Sequence, residues 1–153
     1  MNAEEYREIL QTAIQREIDA QDFYREASEK MAEGHLKELF SQFVQEEKKH
    51  EDILRGFIES TSPGDVLPFT EDRDYKVSET VENPRVAPDM KPADAFALAM
   101  KKEEEAMNQY TALAKGCTDR EQAQIFKDLA AMERNHKLKM EQAFVETAFP
   151  EAW

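Results

Sequence analysis

Glu47-Lys48-Lys49-His50 and Glu133-Arg134-Asn135-His136 are two copies of one pattern, Glu-x-x-His, and they take two of the three histidines in the chain. On a helix a spacing of three puts both side chains on one face, about one turn apart, where they can reach a common metal ion. One copy alone is weak, because a chain with 33 Asp and Glu among 153 residues often sets a Glu three places before a His. The surroundings decide the matter. A single offset of 86 (133 less 47, 136 less 50) also carries Ala13 onto Ala99, Glu17 onto Glu103, Ala20 onto Ala106, Tyr24 onto Tyr110 and Phe40 onto Phe126. The chain therefore reads as a duplicated helical hairpin.

Working outward, the apolar residues recur with helical period on both sides of each motif. Asn2, with Glu5 three residues later, is a capping-box start for a first helix over about 3–32, whose stripe runs Tyr6, Ile9, Leu10, Ala13, Ile14, Ala20, Phe23, Tyr24, Ala27, Met31. Gly34 is the expected stop. A second helix over about 35–59 buries Leu36, Leu39, Phe40, Phe43, Val44, Ile53, Leu54, Phe57 and Ile58. So short a connection makes the two helices antiparallel neighbours. Pro63, Gly64, Pro68, Pro84 and Pro88 then break up a crossover over about 60–91, long enough to run the length of a bundle or to carry function.

Pro92 suits the first turn of a third helix over about 92–115, ended by Gly116. Thr118-Asp119-Arg120-Glu121 has the form of a capping box for a fourth helix over about 119–148, with Gln122, Ile125, Phe126, Leu129, Met132, Met140, Ala143 and Phe144 inward. Pro150 stops it. The expected fold is all-α, a single domain over 1–153 made of two antiparallel hairpins joined by one long crossover.

Composition agrees and excludes some functions. Only 4 Gly and 6 Pro, with 35% charged residues, favour helices. A net charge of −13 and a pI near 4.7 would be repelled by nucleic acid and by anionic membranes, so neither is an expected partner. No stretch is long and apolar enough to span a bilayer. The single cysteine, Cys117, allows no intramolecular disulfide and no cysteine-based metal site, and no signal peptide is visible, so a cytoplasmic location is expected.

Glu17 lies among Ala13, Ala20 and Tyr24 on an inward stripe, and Glu103 lies among Ala99, Ala106 and Tyr110. Glu47 and His50 continue the stripe of Phe40, Phe43 and Leu54; Glu133 and His136 continue that of Phe126, Leu129 and Met140. Four buried carboxylates close together repel one another and raise one another's pKa values, so the cluster calls for cations. Four carboxylates and two imidazoles match the ligand set of a dinuclear carboxylate site, as in di-iron and di-manganese bundles. Mixed oxygen and nitrogen donors favour iron or manganese, with zinc or cobalt as substitutes.

Glu17-x-x-Ala20-x-x-x-Tyr24, Glu47-x-x-His50, Glu103-x-x-Ala106-x-x-x-Tyr110 and Glu133-x-x-His136 resemble the rubrerythrin branch of the ferritin-like di-iron carboxylate superfamily. The resemblance covers all four helices and implies a ferritin-like bundle holding two iron ions. It implies that Glu47 and Glu133 bridge the metals and that Glu17, Glu103, His50 and His136 are terminal ligands. It also implies peroxidase or oxidase chemistry on O2 or hydrogen peroxide, in oxidant defence, and a homo-oligomer of two or more chains. The chain departs from the family pattern at two points. Ala106 stands where rubrerythrins carry a further Glu, and there is no cysteine-rich rubredoxin-type domain, so electrons are expected from an external, rubredoxin-like donor. Ferroxidase-linked iron storage in a large assembly is the second reading, and a metal-stabilised helical interaction module the third.

Tyr24 and Tyr110 are expected to support ligand carboxylates. Glu46 is expected to be a solvated surface residue because its repeat counterpart is Met132. His35 is expected in the hairpin turn and Cys117 as a small, half-buried residue.

Overall fold

Asn2 opens helix α1 (Ala3–Lys30) with the expected capping box: the Glu5 amide donates to Asn2 Oδ1 at 2.8 Å, and the Asn2 amide donates back to Glu5 Oε2 at 3.4 Å. Helices α2 (Gly34–Glu59), α3 (Pro92–Gly116) and α4 (Arg120–Ala148) follow. The computed structural model describes residues 2–31, 34–62, 64–70, 73–75, 86 and 90–148. Pro150 and the expected end of α1 at residue 32 lie outside these, as do the side chains of His35 and Phe144.

Two helix ends differ from the sequence expectation. Gly34 does not stop α1 but begins α2; α1 ends at Lys30 with Met31 as its C-cap. The Lys37 ammonium reaches back to the Ser28 and Glu29 carbonyls at 3.1 and 3.3 Å, so the open end is satisfied by a cation instead of a left-handed glycine. Asp119, not Thr118, caps α4, its Oδ1 accepting from the Gln122 amide at 2.9 Å. The cap therefore falls one residue later than the capping-box pattern suggests.

α1 packs along α2 and α3 along α4, and the hairpins meet across α1 and α3 to form a four-helix bundle. Its interior has two apolar layers. One holds Ile9, Leu10, Ile14, Leu54, Leu113, Phe126 and Leu129; the other holds Phe23, Phe40, Phe43, Phe96, Ala99, Met140 and Ala143. Ile53 and Met132, which the periodicity assigns to the interior, are each 39% exposed. Each lies next to an inward residue, Leu54 or Glu133, about 100° away around its helix, which turns it toward the rim. Among the described residues, no helix is long and apolar enough to cross a membrane.

The described parts of the crossover pack on both apolar layers. Phe69 forms an antiparallel bridge with Cys117, through Thr70 N to Gly116 O (2.9 Å) and Thr118 N to Pro68 O (2.7 Å), and its ring sits against Tyr6, Tyr75 and Phe126. Farther along, Val86 and Met90 pack on the other apolar layer. Tyr75 is buried over the end of α3, donating its hydroxyl to the Thr70 carbonyl at 2.6 Å. A side chain at Gly116 would run into the Tyr75 ring. Gly116→Val should therefore unseat Tyr75 and lower stability by about 1–3 kcal/mol. Urea unfolding followed by circular dichroism would show this as a lower midpoint at unchanged native helicity; an unchanged midpoint would mean the Tyr75 contact contributes nothing.

Candidate metal centre

On every helix the polar residues of interest fall where one apolar layer gives way to the other: Glu17 on α1, Glu47 and His50 on α2, Glu103 on α3, and Glu133 and His136 on α4. The common offset puts all six at one level of the bundle. Each is at most 2% exposed. They form two overlapping groups, Glu17–Glu47–His50–Glu133 and Glu47–Glu103–Glu133–His136, in each of which one donor atom per residue lies within 4.8 Å of the others. Glu47 and Glu133 belong to both.

The donor atoms are held close without being satisfied by one another. His50 Nδ1 lies 2.7 Å from Glu133 Oε1, and His136 Nδ1 lies 2.9 Å from Glu47 Oε1, yet none of these four atoms has a hydrogen-bond partner of acceptable geometry among the described residues. Glu17 Oε2 and Glu103 Oε2 are orphaned and buried in the same way. Unpaired buried oxygens and nitrogens are costly, and convergent lone pairs of this kind fit a hard or borderline cation. The donor set thus fits a pair of metal ions.

Electrostatics point the same way. Burial, and then the neighbouring Glu47, pushes the Glu17 carboxyl well above its ordinary 4.5; burial, and then Glu103, Glu47 and Glu17, does the same to Glu133. Burial also opposes ionisation of Glu47, but the neighbouring Glu17, His136 and His50 outweigh it and hold that carboxyl below the usual range. Burial disfavours charge on the two imidazoles too. Glu17 and Glu47 nevertheless raise His50 to about 10, and Glu103 and Glu47 raise His136 to about 11. Without metal, the cluster holds protons where cations would sit.

The tyrosines tie the hairpins together crosswise. Tyr24 on α1 donates its hydroxyl to Glu103 on α3, and Tyr110 on α3 donates to Glu17 on α1. Each fixes one oxygen of a carboxylate and leaves the other, Oε2, buried without a hydrogen-bond partner among the described residues.

Glu46 is not the solvated residue that the sequence reading expects: its Oε2 is hydrogen-bonded to Nε2 of His136 across the α2–α4 contact. Its position immediately before a Glu-x-x-His motif was the available signal. The lack of a counterpart acid at Met132 points the other way. A second unforeseen buried polar group is Glu51, which accepts from Gln21 Nε2 at 2.9 Å and Arg55 Nε at 2.7 Å and so ties α2 to α1.

A small cleft opens on the centre between α1 and α3. Its walls are repeat pairs, Ala20 with Ala106 and Arg16 with Lys102, and Glu17, Glu103, Glu47 and Glu133 lie at its inner end. On the α2–α4 side the Phe43 ring lies 4.5 Å from that of His136.

Comparison with known proteins agrees with the geometry. No curated protein matches the sequence. A hypothetical protein from Pyrococcus furiosus has a similar structure, with a TM-score of 0.76 and 28% identity over 97% of this chain and 96% of that one. A Thermotoga maritima structure described as a ferritin-like diiron-carboxylate protein gives a TM-score of 0.71 at 20% identity, covering 95% of this chain and 96% of that one, and shares the fold. The sequence pattern of the family described as rubrerythrin matches residues 8–144, a span that contains all four helices' contributions to the cluster, and this chain belongs to the rubrerythrin family.

Proposed function

We propose that this protein is a non-haem di-iron protein that reacts with O2 or hydrogen peroxide, with electrons supplied by a separate, rubredoxin-like donor. The observation that supports this most is the pair of donor groups sharing Glu47 and Glu133 at the inner end of a solvent-open cleft. In this reading Glu47 and Glu133 would serve both metal positions, Glu17 and His50 would complete one, and Glu103 and His136 would complete the other. Iron held by these residues would supply the electrons that reduce a small oxidant.

The chain's own residues do the rest. Four carboxylates balance two divalent ions, so the loaded site adds no net charge to the interior. Tyr24 and Tyr110 hold the terminal carboxylates in place as the charge between them changes. Ala20 and Ala106 keep the cleft wall short, admitting a small oxidant to the carboxylate edge, while Phe43 covers His136 on the opposite side. Oxygen donors with one imidazole per position suit iron, and also manganese.

Stopped-flow mixing tests the reading. Protein loaded anaerobically with two equivalents of Fe(II) is expected to oxidise on mixing with one equivalent of hydrogen peroxide, or with O2, much faster than free Fe(II) in the same buffer. Oxidation at the free-ion rate would refute it. Continued uptake of many ferric ions per chain into a large shell would make the protein an iron store instead.

A further inference from the structure

The repeat makes the two halves of the centre near copies, so the place where the copying fails is informative. The ligands match in pairs, and so do the supporting hydroxyls, Tyr24 on Glu103 and Tyr110 on Glu17. The imidazole rings lie nearly parallel, 10° apart. What differs is their backing. His136 has Glu46 on its Nε2 and the Phe43 ring against its face. The offset of 86 puts Met132 and Leu129 at the corresponding positions for His50. Met132 is 39% exposed and carries no hydrogen-bonding carboxylate, and the buried Nε2 of His50 has no hydrogen-bond partner among the described residues.

A carboxylate on Nε2 keeps the ring proton there, so the Nδ1 lone pair faces the cluster in a single tautomer. It also makes that nitrogen a stronger donor and fixes the ring plane. His50 has none of this help. It must either keep an unbonded N–H buried at Nε2 or place its proton on the nitrogen a metal needs.

We propose, on the basis of the dinuclear reading above, that the two metal positions are unequal. The position formed by Glu47, Glu103, Glu133 and His136 fills first and binds more tightly, with Glu46 as its positioning residue. Loss of a partner of this kind typically lowers metal affinity about 10- to 100-fold, which sets the expected gap between the two positions. When metal is scarce the chain then carries one ion, at His136, and the pair assembles only as metal rises.

The test is a Zn(II) titration of the metal-free full chain labelled with ¹⁵N in its histidine rings. The first equivalent is expected to move the His136 ring signals and the second those of His50, with His35 as the reference. Glu46→Met, which gives the two halves the same residue, should abolish the order and weaken the tighter step about 10- to 100-fold while leaving the weaker one unchanged. Met132→Glu, at a half-exposed position that tolerates charge, should instead strengthen the His50 step. The proposal is overturned if both rings shift together in the unaltered chain, if His50 shifts first, or if neither substitution changes the order. A separate result, in which neither ring shifts through two equivalents while helicity is intact, would refute the dinuclear reading itself.

Discussion

Glu47→Ala or Glu133→Ala should empty both metal positions, whereas Glu17→Ala or Glu103→Ala should empty only one. The reason is geometric. Glu47 and Glu133 have donor atoms in both four-residue groups, while Glu17 serves only the group with His50 and Glu103 only the group with His136. Losing a shared carboxylate leaves each position with three donors and removes one of the two negative charges that the positions share. Two divalent cations then repel one another with less screening in a low-dielectric interior. Losing a terminal carboxylate confines the damage to its own side. Anaerobic dialysis against metal matched to the protein, followed by elemental analysis, should return two ions per chain for the unaltered protein, one for the terminal variants and none for the bridging ones. Equal losses from Glu47→Ala and Glu17→Ala would remove the case for shared ligands.

The same residues should act in opposite directions on stability depending on metal. Glu133 is 1% exposed, and its carboxyl is raised well above 4.5 by burial and by Glu103, Glu47 and Glu17. A folded-state pKa above the unfolded one means the native state binds the extra proton. Stability is then complete below about pH 4.5 and falls as pH rises toward the folded value. At pH 7 this lowers the stability of the metal-free fold, by the work of holding a proton that the unfolded chain has released.

Glu133→Gln removes that cost while keeping the shape, and His50 keeps Glu17 and Glu47, the carboxylates that raise it. The metal-free variant should therefore be more stable than the unaltered protein by about 1–3 kcal/mol, equivalent to a rise in Tm of about 2–4 °C for each kcal/mol. With metal the order reverses. An ion present at 1,000 times its Kd stabilises the unaltered chain by about 4 kcal/mol per position, and the variant loses much of that. Melts in chelator and in two equivalents of Zn(II) would show the crossing. A variant less stable than the parent in both conditions would mean that Glu133 serves the fold rather than a metal.

The parts that were legible in the sequence share one property: they are periodic. The stripe from Tyr6 to Met31 and its repeat fixed the helices to within a residue or two, because burying an apolar face at a period of 3.6 leaves few alternatives. The six cluster residues were legible because charged groups interrupt those stripes at matching places in both halves. Helix ends were less so. Lys37 closes α1 from the following helix, and Asp119 displaces Thr118, through contacts that residue type alone does not rank.

The sequence by itself determined a duplicated hairpin with Glu17, Glu47, His50, Glu103, Glu133 and His136 turned inward, because periodicity and an offset are properties of one dimension. Only the tertiary structure decided which residues on different helices meet. It put Tyr24 on Glu103 and Tyr110 on Glu17, crossing between hairpins, and it brought Glu46 to His136. It also showed that Ala20 and Ala106 line the way in. These pairings depend on the rotation and spacing of packed helices, which the pattern within any one helix does not record. Glu46 shows the difference most plainly: one step from a ligand in sequence, it reads as surface, and the packing of α2 on α4 makes it the support of a histidine on another helix.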